Sequence, residues 1–291
     1  CDEAVDEDVL VLFHLDADGD GYGDVDVSEE ACSAPAGYVL DATDCDDSEE
    51  TGAEINPAVT EICSDGVDND CSGDEDDGVA GSSSTCPGED CQAVLDDNPE
   101  AATGLYWIDP DGDGDHGDAW EAYCDMADDG GGWTKLESAA WPFFFSNPGW
   151  EAYGSPTDQN HSMVGEIADF AEGGVFTFRF EVGNSGTWDD GSRAHYTVWS
   201  QGHDPLTSST DGSGYTFIAG EESTTCGGFN GLHSYYYDVS GTFQLISDPD
   251  NTDNAGCWWM QVVPFANYDN NGYLEGYGGS NYHNWQSLWV R

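Results

Sequence analysis

Residues 175–182 have the sequence Val-Phe-Thr-Phe-Arg-Phe-Glu-Val, and this stretch indicates the fold class. Its phenylalanines alternate with polar residues, and a period of two is typical of a β-strand with two different faces. After Cys91, aromatic residues recur every few positions between glycine-rich turns. Residues 163–170 are compatible with a short helix, but no long segment repeats its apolar residues with a helical period. The sequence therefore predicts a β-rich α+β fold.

Negative charge dominates the 291 residues: Lys and Arg total 4, Asp and Glu total 60, and the formal net charge is −56. Binding to nucleic acid requires clustered Lys and Arg, so nucleic acid is excluded as an electrostatic partner. The hydrophobic fraction of 38% and the aromatic fraction of 13% are nevertheless sufficient for a folded core. The first 134 residues contain no Lys or Arg. Their charge indicates bound divalent cations, and adaptation to high salt stays open as an alternative explanation.

An apolar, strand-like run from Val9 to Leu15 leads directly into the sequence Asp-Ala-Asp-Gly-Asp-Gly at residues 16–21. Aspartates at alternate positions followed by glycine begin an EF-hand-type calcium loop, in which the carboxylates converge on one ion. Position 12 of this loop is Val27 rather than the usual Glu, so we expect further ligands from a second segment. The expected ligands are Asp16, Asp18, Asp20, the backbone carbonyl of Tyr22, Asp24, and Asp44, Asp46 or Asp47.

Three other segments carry oxygen ligands at similar spacing. In the first, oxygens at positions 1, 3 and 5 precede Gly73, and the candidate ligands are Asp65, Asp68, Asp70, Ser72, Asp74 and Asp76. The second is another D-x-D-x-D-G sequence, formed by Asp109, Asp111 and Asp113. The third comprises Asn267, Asp269, Asn271 and Glu275. We therefore expect several calcium ions as cofactors.

Residues 16–79 resemble the MopE-type metal-binding repeat. The resemblance rests on the sequences DADGDGYGD, ATDCDDSEE, INPAVTEIC and DGVDNDCSGDEDDG. The family is often labelled copper-binding, but this segment has no Met and the only nearby His is His14, just before it, so its oxygen ligands favour calcium. The family pattern implies disulfides Cys32–Cys45 and Cys63–Cys71. Such crosslinks would staple a module that is too small and too charged to build much of a core.

Ten cysteines predict a disulfide framework and an extracellular location, either secreted or at the cell surface. No apolar run is long enough for a transmembrane helix. A chain that begins with Cys is what lipoprotein processing leaves, so Cys1 carries either a lipid anchor or a disulfide, for instance with Cys86. The Gly- and Ser-rich segment near residue 80 is typical of a linker. The expected organisation is an arm at 1–15, an acidic metal-binding module at 16–79, a linker at 80–90 and a second domain at 91–291.

Residues 91–291 resemble a fibrinogen C-terminal domain, and intelectin-like lectins are a close variant. The opening of the resemblance consists of Cys91, GLYWID at 104–109, YCDM at 123–126 and DGGGWT at 129–134. Its end consists of SDPDNTDN at 247–254, CWWM at 257–260, NYDNNGY at 267–273 and the final segment 285–291. The resemblance implies a disulfide Cys91–Cys124. The second disulfide departs from the family pattern, and Cys226–Cys257 is the pair that remains. The family's calcium site corresponds to Asp248, Asp250, Thr252 and Asn254.

Aromatic side chains are dense near the last of these segments, where the family keeps its ligand pocket. We identify Tyr273, Tyr277, Tyr282, His283 and Trp285 as candidate ligand-binding residues. Aromatic rings beside a cation hold sugars in lectins, but packing within the core is the alternative role for each ring. An enzyme is not expected, because the sequence has no G-x-S-x-G motif and its histidines are dispersed.

Two functions follow from these patterns. The first is a calcium-binding, lectin-like adhesion protein with glycans as partners. The second is a calcium-stabilised subunit of an extracellular filament or matrix, whose partners are neighbouring copies of itself. In that case the strand at residues 9–15 is donated to the edge of a neighbouring sheet, because the acidic module has little core to cover it.

Overall fold

The computed structural model describes residues 10–63, 65–75, 78–111, 116–140, 152, 154–183, 187–189, 193–207, 214–220, 231–237, 242–247, 260–262, 274–275, 282–283 and 285–291. Within these ranges the chain is mostly β-strand, with one short α-helix and four 3₁₀ helices. The predicted β-rich α+β class is therefore confirmed. No helix in the described part of the chain is long and apolar enough to span a membrane.

The chain divides into two compact units. The first comprises Cys1–Pro87 together with Gly114–Gly117, and the second comprises Gly88–Asp113 together with Asp118–Arg291. The start of the expected linker is hydrogen-bonded within the first unit. The amide of Gly81 donates to the carbonyl of Cys86 (2.8 Å), and the amide of Cys63 donates to the carbonyl of Thr85 (2.9 Å). Residues 81–86 are thus part of the first unit rather than a free linker.

A three-stranded antiparallel sheet organises the first unit. Its strands are β1 (Val11–Leu15), β2 (Asp24–Ala31) and β3 (Tyr38–Val39), in the order β2-β1-β3, and a 3₁₀ helix follows at Gly52–Glu54. The strand expected to be donated to a neighbour is therefore the central strand of its own sheet. A short connection brings β2 beside β1, and such local pairing costs little loop-closure entropy. Phe13 and His14 of β1 are buried in the same unit.

The disulfides of the first unit correct three expected pairings. Cys45 is bonded to Cys71 and Cys63 to Cys86, with Cα–Cα distances of 5.6 and 4.7 Å. The expected pairs Cys32–Cys45, Cys63–Cys71 and Cys1–Cys86 are therefore wrong. Backbone hydrogen bonds explain the difference, because the bond between Cys63 and Thr85 places Cys86 beside Cys63. Cys32 is also disulfide-bonded. The expected pair Cys226–Cys257 lies outside the described residues.

The second unit is built on an eight-stranded antiparallel sheet in the order β10-β9-β8-β16-β6-β5-β4, with β7 paired to β6. These strands are β4 (Gly104–Ile108), β5 (Trp120–Asp125), β6 (Trp133–Ala140), β7 (His161–Ser162), β8 (Phe176–Gly183), β9 (His195–Gln201), β10 (Tyr215–Gly220) and β16 (Trp285–Val290). Two smaller sheets contain β11 (His233–Tyr237), β12 (Thr242–Ser247) and β13 (Met260–Val262), and β14 (Leu274–Glu275) with β15 (Tyr282–His283).

One short helix, α1 (Cys91–Asp97), precedes this sheet and was not predicted from the sequence. Asp90 caps it, since its side chain accepts the amide of Ala93 at 2.7 Å. Cys91 is bonded to Cys124 on β5, which is the pair that the family resemblance implies. Three 3₁₀ helices complete the second half of the chain, at His116–Asp118, Asp128–Gly130 and Val164–Phe170. The last of these occupies the segment that was compatible with a short helix.

The alternation within β8 separates two faces of the large sheet. Phe176, Phe178 and Phe180 pack into an apolar core together with Ile167 and Leu288. The opposite face carries aromatic rings and charged groups, because Arg179 and Glu181 alternate with the phenylalanines along the same strand. All four basic residues of the chain are found on this charged face: Lys135, Arg179, Arg193 and Arg291.

Arg179 is at the centre of the charged face and is almost fully buried. Its guanidinium is 2.6 Å from a carboxylate oxygen of Asp125 and 3.1 Å from one of Glu181. It also lies between two indole rings, 4.9 Å from the centroid of Trp133 and 4.7 Å from that of Trp289. Paired carboxylates and ring faces replace the water that a buried guanidinium loses. The buried charge of Arg179 is therefore balanced inside the second unit by carboxylates and covered by aromatic rings.

Lys135 and Glu137 are the most deeply buried charged pair on β6. Burial lowers the pKa of Lys135 to about 6 and raises the pKa of Glu137 to about 8. The amine of Lys135 lies 3.2 Å from the ring centroid of Trp188. Glu137 accepts a hydrogen bond from the side-chain amide of Gln286 at 3.3 Å. Both residues therefore favour their neutral forms near neutral pH.

We expect Lys135→Met to flatten the pH dependence of stability between pH 8 and pH 9.5. The native amine is neutral above its lowered pKa, whereas an unfolded lysine stays protonated to about pH 10.4, so unfolding takes up a proton in this interval. Lys135 thus makes the free energy of unfolding rise with pH by about 1.4 kcal/mol per pH unit, and the variant loses that slope. Denaturant titrations at both pH values measure the difference.

Glu137→Gln is the companion variant, and its effect has the opposite sign. The native carboxyl is protonated below its raised pKa while the unfolded one is ionised, so the contribution of Glu137 to stability falls as pH rises from 5 to 7.5, and above pH 6 it opposes the rise contributed by Lys135. The variant removes this contribution, so its unfolding free energy rises relative to that of the native chain across this interval. An unchanged slope between pH 8 and pH 9.5 in Lys135→Met would show that the native lysine keeps its proton.

Candidate metal centre

The loop that joins β1 to β2 holds three aspartates with part of each carboxylate already engaged. Asp16, Asp18 and Asp20 each accept one backbone N–H from two or three residues ahead, at 2.8, 3.1 and 2.8 Å. Gly21 has a φ of +102°, which glycine adopts without strain and other residues rarely do. Side-chain to backbone bonds of this kind fix the carboxylates on the inside of the turn. One oxygen of each group remains for another ligand or ion.

A second segment closes on this loop after β3. Asp24 and Asp44 form an isolated parallel bridge, and the amide of Asp44 donates to the carbonyl of Gly23 at 3.3 Å. As a result the carboxylate oxygens of Asp18, Asp44 and Asp47 lie within 4.8 Å of one another. Those of Asp16, Asp18 and Asp20 form a similar group. The structure thus brings together residues that the sequence analysis assigned to one centre.

Burial leaves this cluster with unbalanced negative charge. Asp44 is 7% exposed, and its Oδ2 atom, like those of Asp18 and Asp20, is buried and has no hydrogen-bond partner. Burial, followed by the charges of neighbouring aspartates, raises the pKa of both Asp18 and Asp44. Carboxylates held this close repel one another unless a cation lies between them. The donor set is oxygen only, which suits Ca²⁺.

Gly52 brings the backbone of the following turn against the cluster. A Cβ atom at this position would collide with Oδ2 of Asp18 and with the carbonyl of Asp46. The turn that contains the 3₁₀ helix Gly52–Glu54 therefore approaches the carboxylates more closely than any side chain at position 52 would allow. Nothing in the sequence around Gly52 predicted this close approach.

A second acidic group of the first unit comes from the segments that precede Cys63 and Cys71. Oxygens of Glu61, Asp68 and Asp70 lie within 4.8 Å of one another. Asp68 accepts the amides of Ser72 and Gly73, both at 2.9 Å. The amide of Asp70 donates to Glu61 at 3.2 Å. Glu61 was missed from the sequence, where its only signal is a place within the quoted INPAVTEIC segment.

The remaining candidate ligands have different positions. Asp24, Asp46, Asp65 and Asp74 do not belong to these groups of described residues. The backbone amides of two other candidates contact the groups, that of Tyr22 at Asp20 and that of Ser72 at Asp68 and Asp70. Asp65 and Asp74 are exposed to solvent. Candidates outside the described residues are Asp76, Asp113, Asp248, Asp250, Thr252, Asn254, Asn267, Asp269, Asn271, Tyr273 and Tyr277. Glu275, Tyr282 and His283 are described by their backbone alone, in which Glu275 pairs with Tyr282.

The second unit has an acidic cavity of about 320 Å³ at the expected loop of Asp109 and Asp111. Asp118, Glu166 and Asp169 also line it, and the sequence analysis did not identify these three. Burial and the adjacent carboxylates raise the pKa of Glu166 and of Asp169. The cavity therefore concentrates acids from separate segments of the chain.

Trp285 is the one aromatic candidate whose side chain the structure describes. It is 1% exposed and packs with Trp133, Trp188 and Trp289. Its ring lines a cavity of about 150 Å³ together with acidic groups that include Asp125. For Trp285 the structure therefore favours the core-packing alternative over an exposed stacking face.

Comparisons with known proteins return fibrinogen-like structures. No protein-family model matches the sequence, and no curated protein matches it significantly. The fibrinogen-like globe domain of human ANGPTL2 matches with a TM-score of 0.45 and 16% identity, covering 70% of this chain and 99% of that chain. The corresponding domain of human ANGPTL6 matches with a TM-score of 0.39 and 14% identity, covering 70% and 95%.

Lamprey fibrin D-dimer, solved with the peptide ligand Gly-His-Arg-Pro-amide, matches with a TM-score of 0.40 and 19% identity, covering 70% of this chain and 73% of that chain. These structural neighbours are fibrinogen-like, which is the kind of domain that residues 91–291 were predicted to resemble. At such identities and scores they carry no argument about ligands. The MopE-type resemblance stays a prediction.

We expect Gly52→Ala to weaken calcium binding by at least about tenfold, or about 1.4 kcal/mol. The added methyl group displaces either the Asp18 carboxylate or the Asp46 carbonyl from its position. The measurement is the rise in melting temperature on adding calcium, compared between variant and native chain.

Gly104→Ala on β4 is the matched control. A Cβ there would meet no atom closer than 3.8 Å, so the calcium response should be unchanged. An equal calcium response in Gly52→Ala and in the native chain would rule out the turn as part of the centre.

Proposed function

We propose that this chain is an extracellular, calcium-binding, non-catalytic protein of adhesion or structural assembly, with a lectin-like second unit. The proposal is carried by Asp44, whose buried Oδ2 atom lies beside Asp18 and Asp47 without a hydrogen-bond donor. A buried charge without a partner is strongly unfavourable. A bound calcium ion supplies positive charge and coordinates the carboxylate oxygen.

Disulfide chemistry supports an extracellular location. All seven cysteines in the described part of the chain are disulfide-bonded. Disulfides persist in oxidising surroundings and are rare in reducing ones. Secretion or display at the cell surface is therefore the proposed location.

The two strongly perturbed buried groups of the second unit favour a non-catalytic role. A general acid or base must reach the proton of a substrate within hydrogen-bond distance. Glu137 is fully buried and bonded to Gln286, and Lys135 is fully buried against Trp188. Arg179 is held between two rings and two carboxylates. Lys135 and Glu137, which are fully buried, therefore have no exposed face for a substrate.

Glycans are the proposed partners of the adhesion function. The support within the described residues is the cavity where aromatic rings of Tyr123, Trp188 and Trp289 meet carboxylates of Asp128 and Asp189. Small-molecule sites combine apolar walls with a few polar groups in this way.

Self-assembly is the second candidate, and exposed apolar residues favour it. Leu10, Leu12 and Val25 at the sheet of the first unit are 55%, 48% and 61% exposed. Apolar patches on acidic proteins are typical of interaction surfaces. Copies with a net charge of −56 repel one another, and bound calcium reduces that repulsion. Assembly would then use the face of this sheet, since β1 is already paired.

Light scattering and electron microscopy of the full chain, first in calcium and then after chelation, separate the two candidates. Filaments that dissociate on chelation establish assembly. A monomer that loosens on chelation supports adhesion, and a glycan array with and without chelator follows. If calcium changes neither the mass, nor the shape, nor the melting temperature of the chain, the proposal as a whole is contradicted.

A further inference from the structure

We propose that the centre of the first unit is binuclear, with the carboxylate of Asp18 bridging two calcium ions. This inference rests on the calcium binding proposed above. It starts from the arrangement of the oxygens, which form two groups rather than one: Asp16, Asp18 and Asp20, and Asp18, Asp44 and Asp47. Asp18 is the single member that both groups share.

The two groups come from different parts of the chain. Asp16 and Asp20 belong to the β1–β2 loop, whereas Asp44 and Asp47 follow β3. Oδ1 of Asp47 accepts the amides of Ala17 and Asp18, so the second segment is held against the loop. The acids that follow β3 form a further group with Asp18, in addition to the group within the β1–β2 loop.

Asp18 has the geometry of a bridging ligand. Its Oδ1 atom accepts the amide of Asp20 at 3.1 Å, and its Oδ2 atom is buried without a hydrogen-bond partner. An ionised carboxylate has about four lone-pair sites on its two oxygens, enough to contact two cations. Gly52 leaves room beside Oδ2 that a Cβ atom would fill.

Asp44 provides an independent argument for a second ion. It is 7% exposed, and its Oδ1 atom accepts the amide of Asp46 at 2.9 Å. Its Oδ2 atom is buried and has no hydrogen-bond partner, and the Asp44 carboxylate groups with those of Asp18 and Asp47. An ion held only in the loop leaves this oxygen unbalanced.

The net charge of the cluster also favours two ions. Its five aspartates carry a formal charge of −5 when all are ionised. One calcium ion leaves −3, and two leave −1. No Lys or Arg occurs before Lys135 in the sequence, so side-chain cations of the first unit do not supply the difference. Water and backbone carbonyls complete the six to eight oxygens that each ion takes.

Counting calcium ions in variants of the full chain tests the inference. Native protein, Asp16→Ala, Asp47→Ala and the double variant are loaded with calcium, freed of excess by gel filtration, and analysed by mass spectrometry of the element. We expect each single variant to lose one ion and the double variant to lose two. Asp26→Ala is the control, because Asp26 is exposed on β2 outside both groups, and it should lose none.

A double variant that loses no more than either single variant shows one shared ion and overturns the binuclear centre. That result leaves the proposed calcium-binding function in place. Native chain without bound calcium overturns both.

Anomalous scattering from crystals of the native chain soaked in terbium gives a readout that does not depend on folding of the variants. Two peaks flanking the Asp18 carboxylate are expected. A single peak there contradicts the inference.

Discussion

The close approach of the carboxylates of Asp18, Asp44 and Asp47 is the constraint on which the first unit depends. Like charges at this separation repel one another, most strongly where water is excluded, as at the buried Asp44. The backbone nevertheless holds them together, through the bridge between Asp24 and Asp44 and the amides that Asp47 accepts. A cation between the oxygens would offset this repulsion. With the calcium binding proposed above, metal binding and folding would be coupled in this unit.

The second unit meets the same excess of acid in a different way. It contains every basic residue of the chain, and these converge on one face of its large sheet. Arg179 and Arg193 share Glu181, and both also contact carboxylates and aromatic rings, while Arg179 donates in addition to the backbone carbonyl of Asp128. The basic side chains in this network are therefore paired within the fold. The first unit has no Lys or Arg to balance its carboxylates, whereas the described sheet of the second unit has internal counter-charges.

Local spacing explains which features could be predicted from the sequence. The loop at Asp16, Asp18 and Asp20 was recognisable because its candidate ligands alternate within six residues, and the missing position-12 acid pointed to Asp44, Asp46 or Asp47. The strand at 175–182 was recognisable from its period of two. Glu61 and the partners of Cys45 and Cys63 were not, because contacts distant in sequence determine them. The stacking of Arg179 between Trp133 and Trp289 depends on the order β8-β16-β6, which no single segment encodes.

The disulfide between Cys45 and Cys71 connects the two acidic groups of the first unit. Cys45 lies between Asp44 and Asp46, and Cys71 directly follows Asp70. The crosslink therefore opposes the repulsion that would otherwise drive these segments apart, and it lowers the entropy of the unfolded chain. It does not neutralise any carboxylate. A covalent bond restrains the chain, whereas only a cation cancels the charge, so the crosslink and the proposed ions would act on the same segments by different means. In the proposed calcium-bound state, the disulfide keeps the ligands near one another and the ions make their close approach favourable.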